Sequence, residues 1–236
     1  GLADGLFTEK QANTLPKKIP NGWSLESFDR ADPYWGAPSR VAVIPILGNI
    51  VGKPGSSPLP GRSAAAENII PAIEQAASDA GVEAVVLRID SPGGDVMASE
   101  RIWRAVRRLA ERKPVVASMG QVAASGGYYV AAPAHTIFAE PNTITGSIGV
   151  FALLPDLSGL YEMLGIGTEI EKRGEQADWN SETMALREND RAALQKALEH
   201  YYSVFIDRVA QGRKIKPERV REIAGGRVYT GAKAHK

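Results

Sequence analysis

Ala84-Val85-Val86-Leu87-Arg88-Ile89-Asp90-Ser91-Pro92-Gly93-Gly94 sets the architecture. Ala84 to Ile89 is a short apolar run, broken at once by Asp90 to Gly94. A run of that kind reads as a strand in a sheet covered on both faces. Working outward, Ala64 to Ala80 reads as a helix with Ile69, Ile70, Ile73 and Ala76 or Ala77 on one side. Met97 to Arg112 reads as the next helix and Pro114 to Met119 as the next strand. Alternating strands and helices predict an α/β fold with right-handed crossovers.

The same reading extends over the rest of the chain. Arg40 to Leu47 is a β-rich strand, the Val41 to Val51 run, which contains Pro45, Gly48 and Asn49, reads as a buried strand with a turn, and Gly52 to Arg62 is a loop. Ser125 to Ala132 predicts a helix opening at Gly126-Gly127, and Thr136 to Ala139 a strand. After the turn Thr145-Gly146-Ser147-Ile148-Gly149, strands are expected at Val150 to Leu153 and Gly167 to Glu171, with a short helix at Ser158 to Leu164 between them. Asn189 to Gly212 reads as a long amphipathic helix carrying Leu194, Ala197, Leu198, Tyr201, Phe205 and Val209 on one face. Pro217 to Ile223 is a short helix begun by its proline. Residues 1–39, rich in proline, glycine and aromatics, read as an irregular connector, and residues 40–236 as one domain.

Composition bounds the chemistry. The chain has 236 residues, 44% hydrophobic and 23% charged, with a formal net charge of +1. That balance gives no push toward nucleic acid. Arg101, Arg104, Arg107, Arg108, Arg112 and Lys113 crowd along one helix and read as a solvated face. With no cysteine, thiol nucleophiles and cysteine zinc sites are excluded. The three histidines, His135, His200 and His235, are too scattered for a metal-ligand spacing and sit poorly for a His-based triad. No apolar run approaches the ~18 residues of a membrane span.

Two glycine-containing turns could carry acyl-transfer chemistry. One is Asp90-Ser91-Pro92-Gly93-Gly94, the other Ala123-Ala124-Ser125-Gly126-Gly127-Tyr128-Tyr129. Such chemistry needs a nucleophile on a sharp turn and backbone N–H groups aimed at the developing oxyanion. Ser125, between two alanines and two glycines at a helix start, fits that need. Small-residue turns also serve plain helix–strand packing, so the motif by itself leaves both readings open. With no suitable histidine, a nucleophilic Ser125 would take a lysine of depressed pKa as its base.

At this point residues 40–236 resemble the signal peptide peptidase A family of serine/lysine proteases. The likeness rests on Val85 to Gly94, on Ser118-Met119-Gly120 with Ala123 to Tyr129, on Ala139 to Gly149, and on Gly226-Arg227-Val228-Tyr229-Thr230-Gly231. It implies the Clp-protease/crotonase-like fold, built of repeated ββα units. It also implies that Ser125 is the nucleophile, that Gly94 and Gly126 donate to the oxyanion, and that Ser147 orients the general-base lysine. No metal or organic cofactor is implied.

One departure matters. Where the short form of the family carries its base lysine, before an Asp, this chain reads Ala177-Asp178. Lys172 is a poor substitute, because it matches a different family position. The long form of the family has two homologous halves, the N-terminal one giving the lysine and the C-terminal one the serine. The resemblance thus implies a C-terminal half, with Gly1-Leu2-Ala3-Asp4 as the tail of a preceding repeat and the chain stopping before its own last strand. The base would come from the N-terminal half or a neighbouring subunit. Expected partners are hydrophobic peptides such as cleaved signal peptides, further copies of the protein in a homo-oligomer, and a membrane reached through an anchor outside this chain; no nucleic acid is expected. The expected location is the bacterial inner membrane, on its periplasmic or extracytoplasmic side. The rivals are a catalytically incompetent scaffold half and an acyl-CoA enzyme of the crotonase type.

Overall fold

The structure is a computed structural model that describes residues 40–57 and 61–236 and the backbone strand Gly5–Leu6. The expected connector over residues 1–39 otherwise lies outside the described residues. The strands are β1 (Gly5–Leu6), β2 (Arg40–Leu47), β3 (Asn49–Val51), β4 (Ser63–Ala65), β5 (Val82–Ser91), β6 (Val115–Ala124), β7 (Thr136–Ala139), β8 (Ile144–Gly146) and β9 (Val228–Thr230). The helices are α1 (Ala66–Ser78), α2 (Val96–Ala110), α3 (Gly126–Ala131), α4 (Ser158–Met163), α5 (Glu188–Arg213), α6 (Pro217–Ile223) and α7 (Gly231–Ala234). The chain divides into two compact units, one of Gly1–Gly149 with Phe205–Lys236 and one of Val150–Val204.

The first unit is built on a sheet of order β1-β7-β6-β5-β2, all neighbours parallel. β8 joins β6 in parallel, and β9 runs antiparallel to β8. Parallel neighbours joined through α1 and α2 are the α/β arrangement expected from the sequence. The core lies on the face where Ile44, Ile46, Val85, Leu87, Ile89, Ala117 and Met119 are almost fully buried. Each large apolar side chain taken from water there contributes about 1.5–3 kcal/mol. Ile69 and Ile73 of α1 and Ile102, Val106 and Leu109 of α2 are also buried.

The two faces of the sheet are covered unevenly among the described residues: β6 is buried on both faces at Ser118, Met119 and Gly120, and the strands beyond it less so. β5 alternates, with Val85, Leu87 and Ile89 buried and Val86 and Arg88 only half-buried. On β2, Val41 and Val43 are exposed while Ala42, Ile44 and Ile46 are buried. The physical reason is the period of the strand, which sends successive side chains to opposite faces. An apolar run satisfies one covered face and leaves the other to whatever else lies against it.

Local chemistry fixes the helix ends. The Asp95 carboxylate caps α2 by accepting the Ala98 N–H at 2.6 Å, a contact worth about 1 kcal/mol. At the end of α1, Lys113 donates from Nζ to the carbonyls of Ala76 and Asp79 at 2.8 and 2.5 Å. That is a cation on the carbonyls a helix leaves unpaired. The arginine comb of α2 is solvated, with Arg104, Arg107 and Arg108 in ion pairs to Glu100, Glu111 and Glu74.

A break in register in β6 brings the second glycine turn to its place. Ile89 faces Met119 and Ser91 faces Ala123, so Gly120, Gln121 and Val122 together oppose the single residue Asp90. The Asp90 carboxylate accepts the Val122 N–H at 3.0 Å. A side chain on Gly120 would collide with that carboxylate, its Cβ lying 2.9 Å from Cγ. Such a bulge bends a strand and re-aims the residues beyond it. Here β6 pairs with β7 over Val116–Ser118 and with β8 over Val122–Ala124.

In the second unit, Val150 to Leu153 and Gly167 to Glu171 are not strands. The first run carries the β-formers Val150 and Phe151 and the second Thr168 and Ile170, but among the described residues neither finds a ladder partner, and a strand without one is not stable. Phe151 and Leu153 stand 85% and 84% exposed. α4 is held by Leu157 N–H to the Glu182 carbonyl and by the Tyr161 hydroxyl to the Glu182 carboxylate. The amphipathic face expected for α5 is well buried only at its end, where Phe205, Ile206, Val209 and Ala210 belong to the first unit; Tyr201 is 36% exposed.

Candidate active site

β6 ends at Ala124, and α3 begins at Gly126. Ser125 makes the whole strand-to-helix turn, with φ 51° and ψ −121°. A non-glycine residue held there carries strain of about 1–3 kcal/mol, and it persists only because neighbours fix it. Its N–H donates to the Gly146 carbonyl at 2.9 Å, and its carbonyl accepts the Tyr129 N–H at 2.8 Å. This is the sharp, strained turn that serves nucleophilic serines elsewhere, reached without the G-x-S-x-G pattern.

The first glycine turn lies against this serine. A Cβ on Gly93 would fall 2.8 Å from Ser125 Cβ and 2.7 Å from Gly126 N. A Cβ on Gly126 would fall 3.3 Å from Gly94 N and 2.6 Å from Ser99 Oγ. Gly93 and Gly94 take φ of 108° and 152°, which an L side chain rarely adopts. Small β3 clips the turn: Ile50 N–H donates to the Gly93 carbonyl and Asp95 N–H to the Ile50 carbonyl, both at 2.8 Å. The Gly93 N–H is used, by Ser91 Oγ at 3.1 Å. Among the described residues the Gly94 and Gly126 N–H groups have no protein acceptor.

Ser147 follows β8 as Ser125 follows β6. Ser147 has φ 50°, and its N–H donates to the Arg227 carbonyl at 2.7 Å. β9, just after Arg227, pairs with β8, and Gly231 N–H donates to the Thr143 carbonyl at 2.7 Å. The Gly226 to Gly231 motif thus braces the strand that presents Ser147. Thr145 supports it from inside, donating to the Ala123 carbonyl at 2.8 Å.

The structure therefore brings Ser125, Gly126, Gly94 and Ser147 onto neighbouring turns of one unit. Ala177 lies in the second unit, beside Asp178. Asp178 is engaged by Arg187 at 2.7 Å and by Lys172 at 3.0 Å, and these partners, Arg187 foremost, hold its carboxyl down at about 2. Lys172 is thereby committed to an ion pair, its Nζ also donating to the Glu175 carbonyl. The Arg187 guanidinium bridges on to buried Asp190. His135 serves structure, its Nδ1 accepting the Val115 N–H at 3.0 Å.

Sequence reading missed several supports. Ser91, Asp95 and Ser99 hold the glycine turn, and only Asp95 carried a signal, as a capping residue before a helical run. Glu100 was missed as well. It is 8% exposed and accepts from Arg104, Tyr129 and Arg208. Burial raises its pKa, but the bonds from Arg208, Tyr129 and Arg104 and the Arg208 charge outweigh that and bring it below the ordinary value.

Comparison with known proteins identifies the family. The family model described as Peptidase family S49 matches residues 107–236, and that described as Clp protease matches residues 60–145. The second match accords with the Clp-like α/β fold seen here. The chain is 40% identical over 235 residues to the chloroplastic serine protease SPPA of Arabidopsis thaliana, covering 98% of this chain and 34% of that protein. It is 34% identical over 207 residues to Protease 4 of Haemophilus influenzae, covering 87% of this chain and 33% of the other. It is 33% identical over 169 residues to a putative signal peptide peptidase SppA of Enterococcus faecium, covering 71% of this chain and 49% of that one. The chain thus spans about a third of the length of the first two. The family match over more than half of the sequence, with the 40% identity to the Arabidopsis protein over nearly all of this chain, places this chain in peptidase family S49.

Proposed function

We propose that this chain is the serine-bearing part of a serine/lysine endopeptidase that degrades hydrophobic membrane-derived peptides, cleaved signal peptides among them. The observation that carries the reading is the strained Ser125 turn with the Gly94 and Gly126 N–H groups beside it, both without a protein acceptor among the described residues. Ser125 Oγ attacks the scissile carbonyl carbon while its proton passes to a neutral lysine. The Gly94 and Gly126 N–H groups take the negative oxygen, an effect typically worth about 10²–10³ in rate per donor. The intermediate collapses, the lysine protonates the departing amine, and an acyl-enzyme remains. The same lysine then activates water to release it. Use of the Gly93 N–H by Ser91 supports Gly94 rather than Gly93 as the donor.

Ser147 orients the lysine amine in this reading, and its place beside Ser125 in register supports that role. The lysine comes from an N-terminal half or a neighbouring subunit. Ala177 at the expected lysine position supports this, as does the greater length of the relatives. Assembly into a homo-oligomer would bring such a lysine to Ser125. The substrate class rests on the motif resemblance and on the relative named as a signal peptide peptidase. No helix among the described residues is long and apolar enough to cross a membrane. We place the protein on the extracytoplasmic side of a bacterial inner membrane, through an anchor outside this chain. Ala177 also favours the second reading, a scaffold half that retains the serine motif without catalysis. Hydrolysis of a fluorogenic hydrophobic peptide by the full-length polypeptide separates the two: loss on Ser125→Ala supports the peptidase, and absence of hydrolysis by the folded wild type supports the scaffold.

A further inference from the structure

Glu100 lies on α2, the helix that opens at the glycine turn, and its carboxylate is buried. It is a hub. Arg104 Nε reaches Oε1 at 2.7 Å and Arg208 Nη2 the same oxygen at 2.6 Å, while Arg208 Nε and the Tyr129 hydroxyl reach Oε2 at 3.1 and 2.6 Å. Arg104 is on α2, Tyr129 on α3 and Arg208 on the end of α5, so one carboxylate ties α2, α3 and the last part of α5, all within the first unit. Tyr129 is also the residue whose N–H donates to the Ser125 carbonyl. Its ring lies 4.6 Å from that of Phe205, and Arg208 lies over Trp103 at 4.4 Å. Next to Glu100, Ser99 places its Oγ against Gly126 and donates to the Asp95 carbonyl at 2.8 Å.

This arrangement is costly as mere filling. A buried ion pair seldom stabilises more than a well-packed apolar group would. What charge-assisted and bidentate bonds add is direction. The helix fixed by these bonds is α3, whose first N–H is that of Gly126 and whose cap is Ser125. A misplacement of about 1 Å at a reacting group can cost 10² in rate.

We propose that Glu100 is a positioning residue that, through Tyr129 and Ser99, fixes α3 so that Ser125 and the Gly126 N–H stay in register with the Gly94 N–H. The proposal rests on the reading of Ser125 as nucleophile. The pair Glu100 and Tyr129 acts as a unit, and Arg104 and Arg208 hold the carboxylate in place.

The test uses the full-length polypeptide, with hydrolysis of a fluorogenic peptide and covalent labelling of Ser125 by a fluorophosphonate as parallel readouts. Glu100→Gln, which keeps the shape and removes the charge, is expected to lower kcat about 10- to 100-fold with KM changed less than about twofold. The labelling rate should fall in proportion. Tyr129→Phe, which keeps the ring against Phe205, should give a smaller loss in kcat. The double variant should be no worse than Glu100→Gln alone, because the two side chains share one contact. Ile73→Val, a core change on α1, which carries none of the residues of this cluster, should lower Tm while leaving kcat and labelling intact. Unchanged kcat and labelling in Glu100→Gln and Tyr129→Phe, with wild type labelled at Ser125, would overturn the positioning role and leave the nucleophile standing. Losses in these variants matched by Ile73→Val at equal loss of Tm would also overturn it. A folded wild type that is not labelled at Ser125 would overturn the nucleophile and the positioning role together.

Discussion

Ser125 and Ser147 each occupy the first position beyond one shared rung, Ala124 opposite Gly146, and both leave it with positive φ, 51° and 50°. The Ser125 N–H is bonded to the carbonyl of the residue preceding Ser147. Two serines at matching strand ends are held together by backbone rather than by flexible side chains. Placement of that kind suits a nucleophile and a group that orients its base. In the full-length protein, Ser125→Ala is expected to reduce kcat by at least about 10³-fold, and Ser147→Ala by about 10²-fold with little change in KM. Steady-state kinetics on a peptide substrate reads both.

The glycine turn gives a prediction that combines stability and rate. A Cβ on Gly94 would lie 2.1 Å from the Ile50 carbonyl oxygen, with φ at 152°. The backbone must move to admit it, so Gly94→Ala should displace the N–H assigned to the oxyanion. Expected are a lower Tm and a kcat reduced by about 10²–10³-fold. Melting curves and kinetics on the same sample separate the effects, because a folded but slow enzyme is the specific outcome.

Lys172 offers a discriminating substitution. Its amine is engaged by Asp178 at 3.0 Å and by the Glu175 carbonyl. If the base lies elsewhere, Lys172→Met in the full-length protein should change kcat less than about threefold. Its effect should be on the melting of the Val150–Val204 unit. Loss of hydrolysis at unchanged folding would instead identify Lys172 as the base.

Asp178 contributes to the acid response. Arg187 first and Lys172 second hold its folded pKa at about 2, against an ordinary value of 3.8. A depressed carboxyl contributes stability above its unfolded value and loses it as pH falls through the folded one. Tm should therefore hold near pH 5 and drop between about pH 4 and pH 2. Arg187→Ala should flatten that drop, as thermal melting across the range would record.

The alkaline response differs. A lysine base must be neutral, so activity should rise from pH 6 toward pH 9. Tyr129 behaves in keeping with this. Burial foremost, then its bond to Glu100, push its phenol well above the ordinary value of 10.0. A raised folded pKa leaves its contribution fully present below the unfolded value and lost only as pH climbs beyond it. Tm should thus stay level from pH 7 to about 9.5 while kcat rises. A flat rate profile over that span would count against a lysine base.

Much of the fold was legible because it rests on local signals. The strands at Arg40–Leu47 and Thr136–Ala139 and the helix at Pro217–Ile223 formed with the bounds read from the sequence. The short strands β3, β8 and β9 were not legible, since three residues of strand exist only through their partners. The same dependence explains the opposite error at Val150 to Leu153, where β-formers met no ladder among the described residues. The Ser125 turn and the Gly93-Gly94 turn were readable from glycine and serine chemistry. The contact that joins them was not, because it depends on the Ile50 clip and on the pairing of the β6 bulge with Asp90, each between segments far apart in sequence. Glu100 was hidden for a related reason. On a helix rich in arginine an acidic residue reads as a surface ion pair, and only the arrival of Tyr129 and Arg208 makes it a buried hub.

The measurement that bears most directly on the central claim is hydrolysis of a fluorogenic hydrophobic peptide by this chain alone and by the chain joined to an N-terminal half, each with its Ser125→Ala counterpart. Activity only in the longer protein, abolished by Ser125→Ala, is the predicted result, with Ser125 the nucleophile and the base lysine outside this chain. Equal activity in the chain alone, or activity in the longer protein that survives Ser125→Ala, would contradict it.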